Sequence, residues 1–194
     1  MRYFCFDVES PGLYAGNNPL QVAALVYDEQ FGDFTIVDGL IATRPLKEDD
    51  KMSMDTRDWV ENHLHSDDEI KDFLDRRKIH VPNQHYALTD AKDVRKVFWD
   101  FYMKYRESCA IVGDCIYPVE TSFMQQCIFD ENQRRGNNND YIVDDVMFLG
   151  PYPWIDVNSM SRDRNDYGGV SECDHNPIYD VMTSMEKFQG IKRR

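Results

Sequence analysis

The chain opens with Arg2-Tyr3-Phe4-Cys5-Phe6-Asp7-Val8-Glu9, an aromatic and apolar run that ends in two acids just ahead of Pro11-Gly12. A short apolar run bounded by a turn signal reads as a buried strand. Residues i and i+2 of a strand face the same side. Asp7 and Glu9 would therefore project together from the end of a central strand and repel each other. An isolated Asp-x-Glu is more often a pair of solvated acids at a strand end. The alternative is that a divalent cation offsets the repulsion. Whether the rest of the chain supplies further ligands decides between them.

At 194 residues the chain is expected to form one domain over 1–194, with a basic tail near 189–194. Its 42% apolar and 13% aromatic content fits a folded chain with a sizeable core. No apolar run is long enough to span a membrane, and the first residues do not have the pattern of a secretory signal. The five cysteines, Cys5, Cys109, Cys115, Cys127 and Cys173, contain no Cys-x-x-Cys pair and read as free thiols of a cytoplasmic protein. The net charge of −13 argues against a broad basic face for nucleic acid. It does not exclude an enzyme whose positive charge is carried by bound metal. The basic clusters Arg76-Arg77-Lys78, Arg134-Arg135 and Lys192-Arg193-Arg194 read as solvated helix ends.

Strands are predicted over 2–8, 20–27, 34–43, 109–113 and 154–157, the second and third forming a hairpin with a longer loop over 28–33. Helices are predicted over 67–77, 90–107 (capped by Thr89 or Asp90), 118–134 and from about 175 to 188. Val94, Val97, Phe98, Phe101, Tyr102 and Tyr105 recur on one helical face, which marks packing against a sheet. Trp59, Val60 and Leu64 have helix-like spacing, and Trp59 reads as core or as a base-stacking surface. Residues 141–153, with Gly150, Pro151 and Pro153, read as irregular, and His63, His65, His80 and His85 as surface or loop histidines. The order predicts an α/β fold: a mixed five-stranded sheet whose first three strands form an antiparallel meander, with helices on both faces.

Three acidic positions fall where one element hands over to the next. The first is Asp7-x-Glu9. The second is Asp114 after the fourth strand, with Glu120 in the first turn of the following helix. The third is His175-x-x-x-x-Asp180. Five residues is about one and a half helical turns, so His175 belongs to the loop ahead of the last helix, with Asp174 or Asn176 as cap. Carboxylates at this density suit two divalent ions, and a histidine beside them can take a proton from water.

These motifs resemble the DEDDh group of 3′–5′ exonucleases with the ribonuclease-H-like fold, which includes proofreading subunits, ribonuclease T and oligoribonuclease. The resemblance covers most of the chain. Phe6-Asp7-Val8-Glu9 matches the first motif, and His175-Asn176-Pro177-Ile178-Tyr179-Asp180 the third, with Pro177 in place of alanine. Ile155-Asp156-Val157-Asn158-Ser159-Met160 is similar to the strand preceding that motif. The second motif departs: Val119-Glu120-Thr121-Ser122-Phe123-Met124 carries Glu120 where the family has aspartate, and Asp114 lies near the family's strand-end His or Asn.

The resemblance implies two Mg²⁺ or Mn²⁺ ions held by Asp7, Glu9, Asp180 and either Glu120 or Asp114, with His175 as general base. It implies a single-stranded nucleic-acid 3′ end as partner and a 5′-mononucleotide as product. Ser10, Pro11, Gly12 and Leu13 would contact the terminal nucleotide, and Phe123 would either stack on a base or pack. A homodimer is compatible with it. The altered second motif keeps open a rival reading, a catalytically silent exonuclease-like fold that binds nucleic acid or protein. No residue decides between DNA and RNA.

Overall fold

A computed structural model describes residues 1–12, 18–50, 52, 54–81, 85–114, 116–137, 144–151, 153–160 and 175–192. The elements are β1 (Arg2–Glu9), β2 (Gln21–Gln30), β3 (Asp33–Thr43), α1 (Met54–His63), α2 (Asp67–Arg77), β4 (His85–Ala87), α3 (Ala91–Tyr105), β5 (Cys109–Gly113), α4 (Val119–Arg134), α5 (Asp144–Met147), β6 (Trp154–Asp156), α6 (Val157–Met160) and α7 (Pro177–Lys192). They build an α/β fold around a six-stranded mixed sheet of order β4-β3-β2-β1-β5-β6.

The sheet has one strand more than the sequence suggests. β4 is three residues long, pairs in parallel with β3 through Ile41↔His85 to Thr43↔Ala87, and is partly buried at His85 and exposed at Tyr86 and Ala87. It exists by pairing with its neighbour and has no apolar alternation of its own to signal it. The β2–β3 hairpin is also tighter than expected. Gln30 pairs with Asp33, leaving Phe31 and Gly32 as a two-residue turn, both at positive φ. That conformation is normally marked by Asn-Gly or Asp-Gly, and Phe31 hides it. Within 141–153, read as irregular, α5 forms one turn around the buried Val146.

β1 is central because it can bury both faces. It pairs antiparallel with β2 and parallel with β5. Phe4, Phe6 and Val8 join a core with Val94, Phe98, Phe101 and Tyr102 of α3 and with Phe123, Met124 and Cys127 of α4. Phe98 lies 5.0 Å from the Phe6 ring and 4.8 Å from that of Phe123. Phe123 is fully buried, so of its two expected roles it takes packing and has no face for a base. On the other side, Tyr3 and Cys5 pack with Ile70 and Phe73 of α2 and with Ile178, Val181, Met185 and Phe188 of α7. Helices thus cover both faces of the sheet.

Capping follows local chemistry. Ser66 and Glu69 form a reciprocal capping box that starts α2. Asp90 is the N-cap of α3, but its carboxylate accepts from Lys47 Nζ at 2.6 Å in place of the helix amides. The described basic residues behave as helix ends: Arg76 and Arg77 close α2, Arg134 and Arg135 pair with Glu131, and Lys192 pairs with Glu29, while Arg193 and Arg194 lie outside the described residues. Cys5, Cys109 and Cys127 are free thiols, while Cys115 and Cys173 lie outside the described residues. Among the described residues no helix is long and apolar enough to cross a membrane.

Arg44, at the end of β3, is buried against Asp50. Burial alone would raise the Asp50 carboxyl, but hydrogen bonds from Arg44, from the Lys47 amide and from Asn18 carry it down from 3.8 to about 2. A carboxyl depressed on folding contributes stability above its unfolded pKa and loses it as pH falls towards the folded one. The melting temperature is therefore expected to drop steeply between about pH 4 and pH 2, with Asp50→Asn flattening that part of the profile. A profile identical in wild type and variant would contradict this.

Candidate metal centre

The site lies where β1 ends. Asp7 and Glu9 follow Tyr3 and Cys5 along the same face of the strand, the face that α7 covers. α7 begins with Asn176, whose buried side-chain oxygen accepts from the amides of Ile178 at 3.2 Å and Tyr179 at 3.4 Å. Asn176 thus caps the helix; Asp174, the other cap candidate, lies outside the described residues. Pro177 occupies the first helical position, where its missing N–H costs nothing. Asp180 sits in the first turn and comes to meet β1.

One carboxylate oxygen from each of Asp7, Glu9 and Asp180 lies within 4.8 Å of the others, and all three residues are partly buried. Asp7 Oδ2 is shielded from solvent and, among the described residues, has no hydrogen-bond partner. Burial, and then the charges of Glu9, Asp180, Glu120 and Asp114, raise the Asp7 carboxyl well above its usual range. An orphaned acceptor facing two further carboxylates is the environment a hard cation with oxygen ligands would satisfy.

Glu120 belongs to the same electrostatic neighbourhood but approaches from the other side. Its helix, α4, packs on the face of β1 that carries Phe4, Phe6 and Val8. Glu120 is 6% exposed. Burial pushes its carboxyl up to about 8, against hydrogen bonds from its own amide and from the Val8 backbone; the charges of Glu9 and Asp114 add to the rise. Asp114, in the turn after β5, is held differently, with Oδ2 2.6 Å from Lys187 Nζ. The structure thus brings Asp7, Glu9 and Asp180 into one cluster. Glu120 and Asp114 act on it electrostatically, outside the three-oxygen group.

His175 stands ahead of α7, as its spacing from Asp180 requires. It adopts a left-handed backbone with φ of 65°, uncommon for a residue with a side chain. Its Nδ1 is 3.6 Å from Glu9 Oε2, and its side chain is 35% exposed. The His63 ring, at the end of α1, lies 6.4 Å away and nearly perpendicular. His63 read as a surface histidine in the sequence, and its spacing alone carries no signal of this proximity. Lys187 carries no motif signal of its own, although it lies seven residues after Asp180 and so on the same face of α7.

Of the residues expected to touch a terminal nucleotide, Ser10 Oγ donates to the Gly12 carbonyl at 2.9 Å and Pro11 is buried. Leu13 and the side chain of Trp59 lie outside the described residues. In comparisons with known proteins, the chain matches no family model and no curated protein.

Proposed function

We propose that this chain is a metal-dependent 3′–5′ exonuclease of the DEDDh type, with the ribonuclease-H-like fold, acting on single-stranded DNA or RNA ends. The observation that carries the proposal is the convergence of Asp7, Glu9 and Asp180, from the first strand and the last helix, with Asp7 Oδ2 buried and, among the described residues, without a hydrogen bond. The placement of His175 beside Glu9 supports it, as does a mixed sheet whose first three strands are antiparallel.

Asp7, Glu9 and Asp180 would hold Mg²⁺ or Mn²⁺, with a further carboxylate from Glu120 in the first turn of α4 or Asp114 after β5. When bound, two such ions activate a water at neutral pH and stabilise the leaving oxygen of an in-line displacement. His175, with Nδ1 turned towards Glu9, would take the water's proton at Nε2. Its exposure lets that proton pass on to solvent. Ser10 to Leu13, following directly on Glu9, would orient the terminal nucleotide, which leaves as a 5′-mononucleotide.

The rival reading, a silent binding module, draws on the altered second motif, on the net charge of −13 and on the convergence of three carboxylates, not four, among the described residues. Thermal melting separates the two. With chelator, Asp7→Asn is expected to melt above wild type, because it removes one of several mutually repelling buried charges. With Mn²⁺ the order reverses: an ion at about 100 times its Kd adds about 2.7 kcal/mol to wild type, a shift of several degrees. No Mn²⁺ shift in wild type would favour the silent module.

A further inference from the structure

Two acids stand ready for the fourth ligand position, and one of them carries its own cation. Lys187 Nζ lies 2.6 Å from Asp114 Oδ2, with the lysine half exposed and the aspartate largely buried. Lys187 projects from the same face of α7 as Asp180. Asp114 lies two residues beyond the pair Cys5↔Val112 on the parallel neighbour of β1, which brings it level with Asp7. Its charge reaches Asp7, Glu120 and the Cys5 thiol. Among the described residues no cation lies within ion-pair distance of Glu120, which is buried beside the cluster and acts on it by charge.

We propose that Lys187 is a positioning residue that selects the ligand set. By neutralising Asp114 it keeps that carboxylate out of the metal centre and leaves Glu120 as the fourth acid. The inference rests on the metal centre proposed above. An ammonium this close to a carboxylate oxygen makes a short, charge-assisted hydrogen bond, and a metal would have to displace it to use Asp114. A pair whose lysine is half exposed contributes little to holding a fold together, so the consequence of the contact lies in where it places charge. One helix would then serve the site twice, giving it the Asp180 carboxylate and, two turns later, withdrawing the Asp114 carboxylate.

Calorimetric titration of Mn²⁺ into the full chain, without nucleic acid, tests this. Lys187→Met is expected to bind Mn²⁺ roughly three- to tenfold more tightly, since Asp114 then adds uncompensated negative charge beside the site. Lys187→Arg is expected to bind as wild type. Asp114→Asn/Lys187→Met, which deletes the pair as a unit, is also expected to bind as wild type. Glu120→Gln is expected to weaken binding at least about tenfold, as loss of a ligand should. Unchanged affinity in Lys187→Met, or a loss in the double variant as large as in Glu120→Gln, overturns the selection role and leaves the metal centre standing. Absence of Mn²⁺ binding by wild type overturns both.

Discussion

Asp7→Ala is expected to abolish Mg²⁺- or Mn²⁺-dependent release of mononucleotides while the chain stays folded. Asp7 is the acid most enclosed by others. Glu9 and Asp180 meet it through their oxygens, and Glu120 and Asp114 reach it by charge. Removing it takes away one of the three oxygens that form the cluster. Groups that only orient metal ligands cost about 10- to 100-fold when lost, and a ligand at the centre should cost more. The fold should survive, because Asp7 makes no buried hydrogen bond through Oδ2 and its loss relieves repulsion. Release of mononucleotides at the wild-type rate by a folded Asp7→Ala protein would sink the assignment.

The largest stability effect is expected at Arg44. Its side chain is 1% exposed and grips Asp50 with two parallel bonds, Nη1 to Oδ2 at 2.8 Å and Nη2 to Oδ1 at 2.9 Å. Nε donates to the Pro19 carbonyl at 2.7 Å and Nη2 to that of Asn18 at 3.3 Å. Arg44→Met would leave a buried carboxylate and several carbonyls without their donor, a loss of about 3–5 kcal/mol in urea unfolding. Arg44→Met/Asp50→Leu should recover much of it, because breaking one half of a buried pair costs more than removing both. The effect reaches the site through the backbone. The Arg44 amide donates to Leu20 and the Leu20 amide to Glu9, tying the β1 end to β3. A single variant within about 1 kcal/mol of wild type would contradict the role given to this pair.

What could be read from the sequence divides along physical lines. β1 announces itself as an apolar run buried on both faces, α2, α3 and α4 because each buries an apolar face of its own, and Asn176 marks a helix start by side-chain chemistry. β4 does not, since a three-residue edge strand is made by its partner. The Phe31-Gly32 turn does not, since its backbone is paid for by strand pairing and not by the usual turn residues. In the site, Asp7, Glu9 and Asp180 were legible because motif order and element ends place them together. The contest between Glu120 and Asp114 was not, because it turns on Lys187, 73 residues from Asp114 in the chain. The approach of His63 to His175 likewise depends on how α1 docks, which no local pattern encodes.

The most direct measurement is a product assay on single-stranded DNA and RNA oligonucleotides carrying the label at either the 5′ or the 3′ end, with Mn²⁺ and with chelator. With Mn²⁺, the 3′-labelled strand should give labelled mononucleotide from the first turnover and the 5′-labelled strand a ladder that shortens with time. Chelator should stop both. Internal cuts without mononucleotide release, shortening from the 5′ end, or turnover that persists in chelator would contradict a metal-dependent 3′–5′ exonuclease built on Asp7, Glu9 and Asp180.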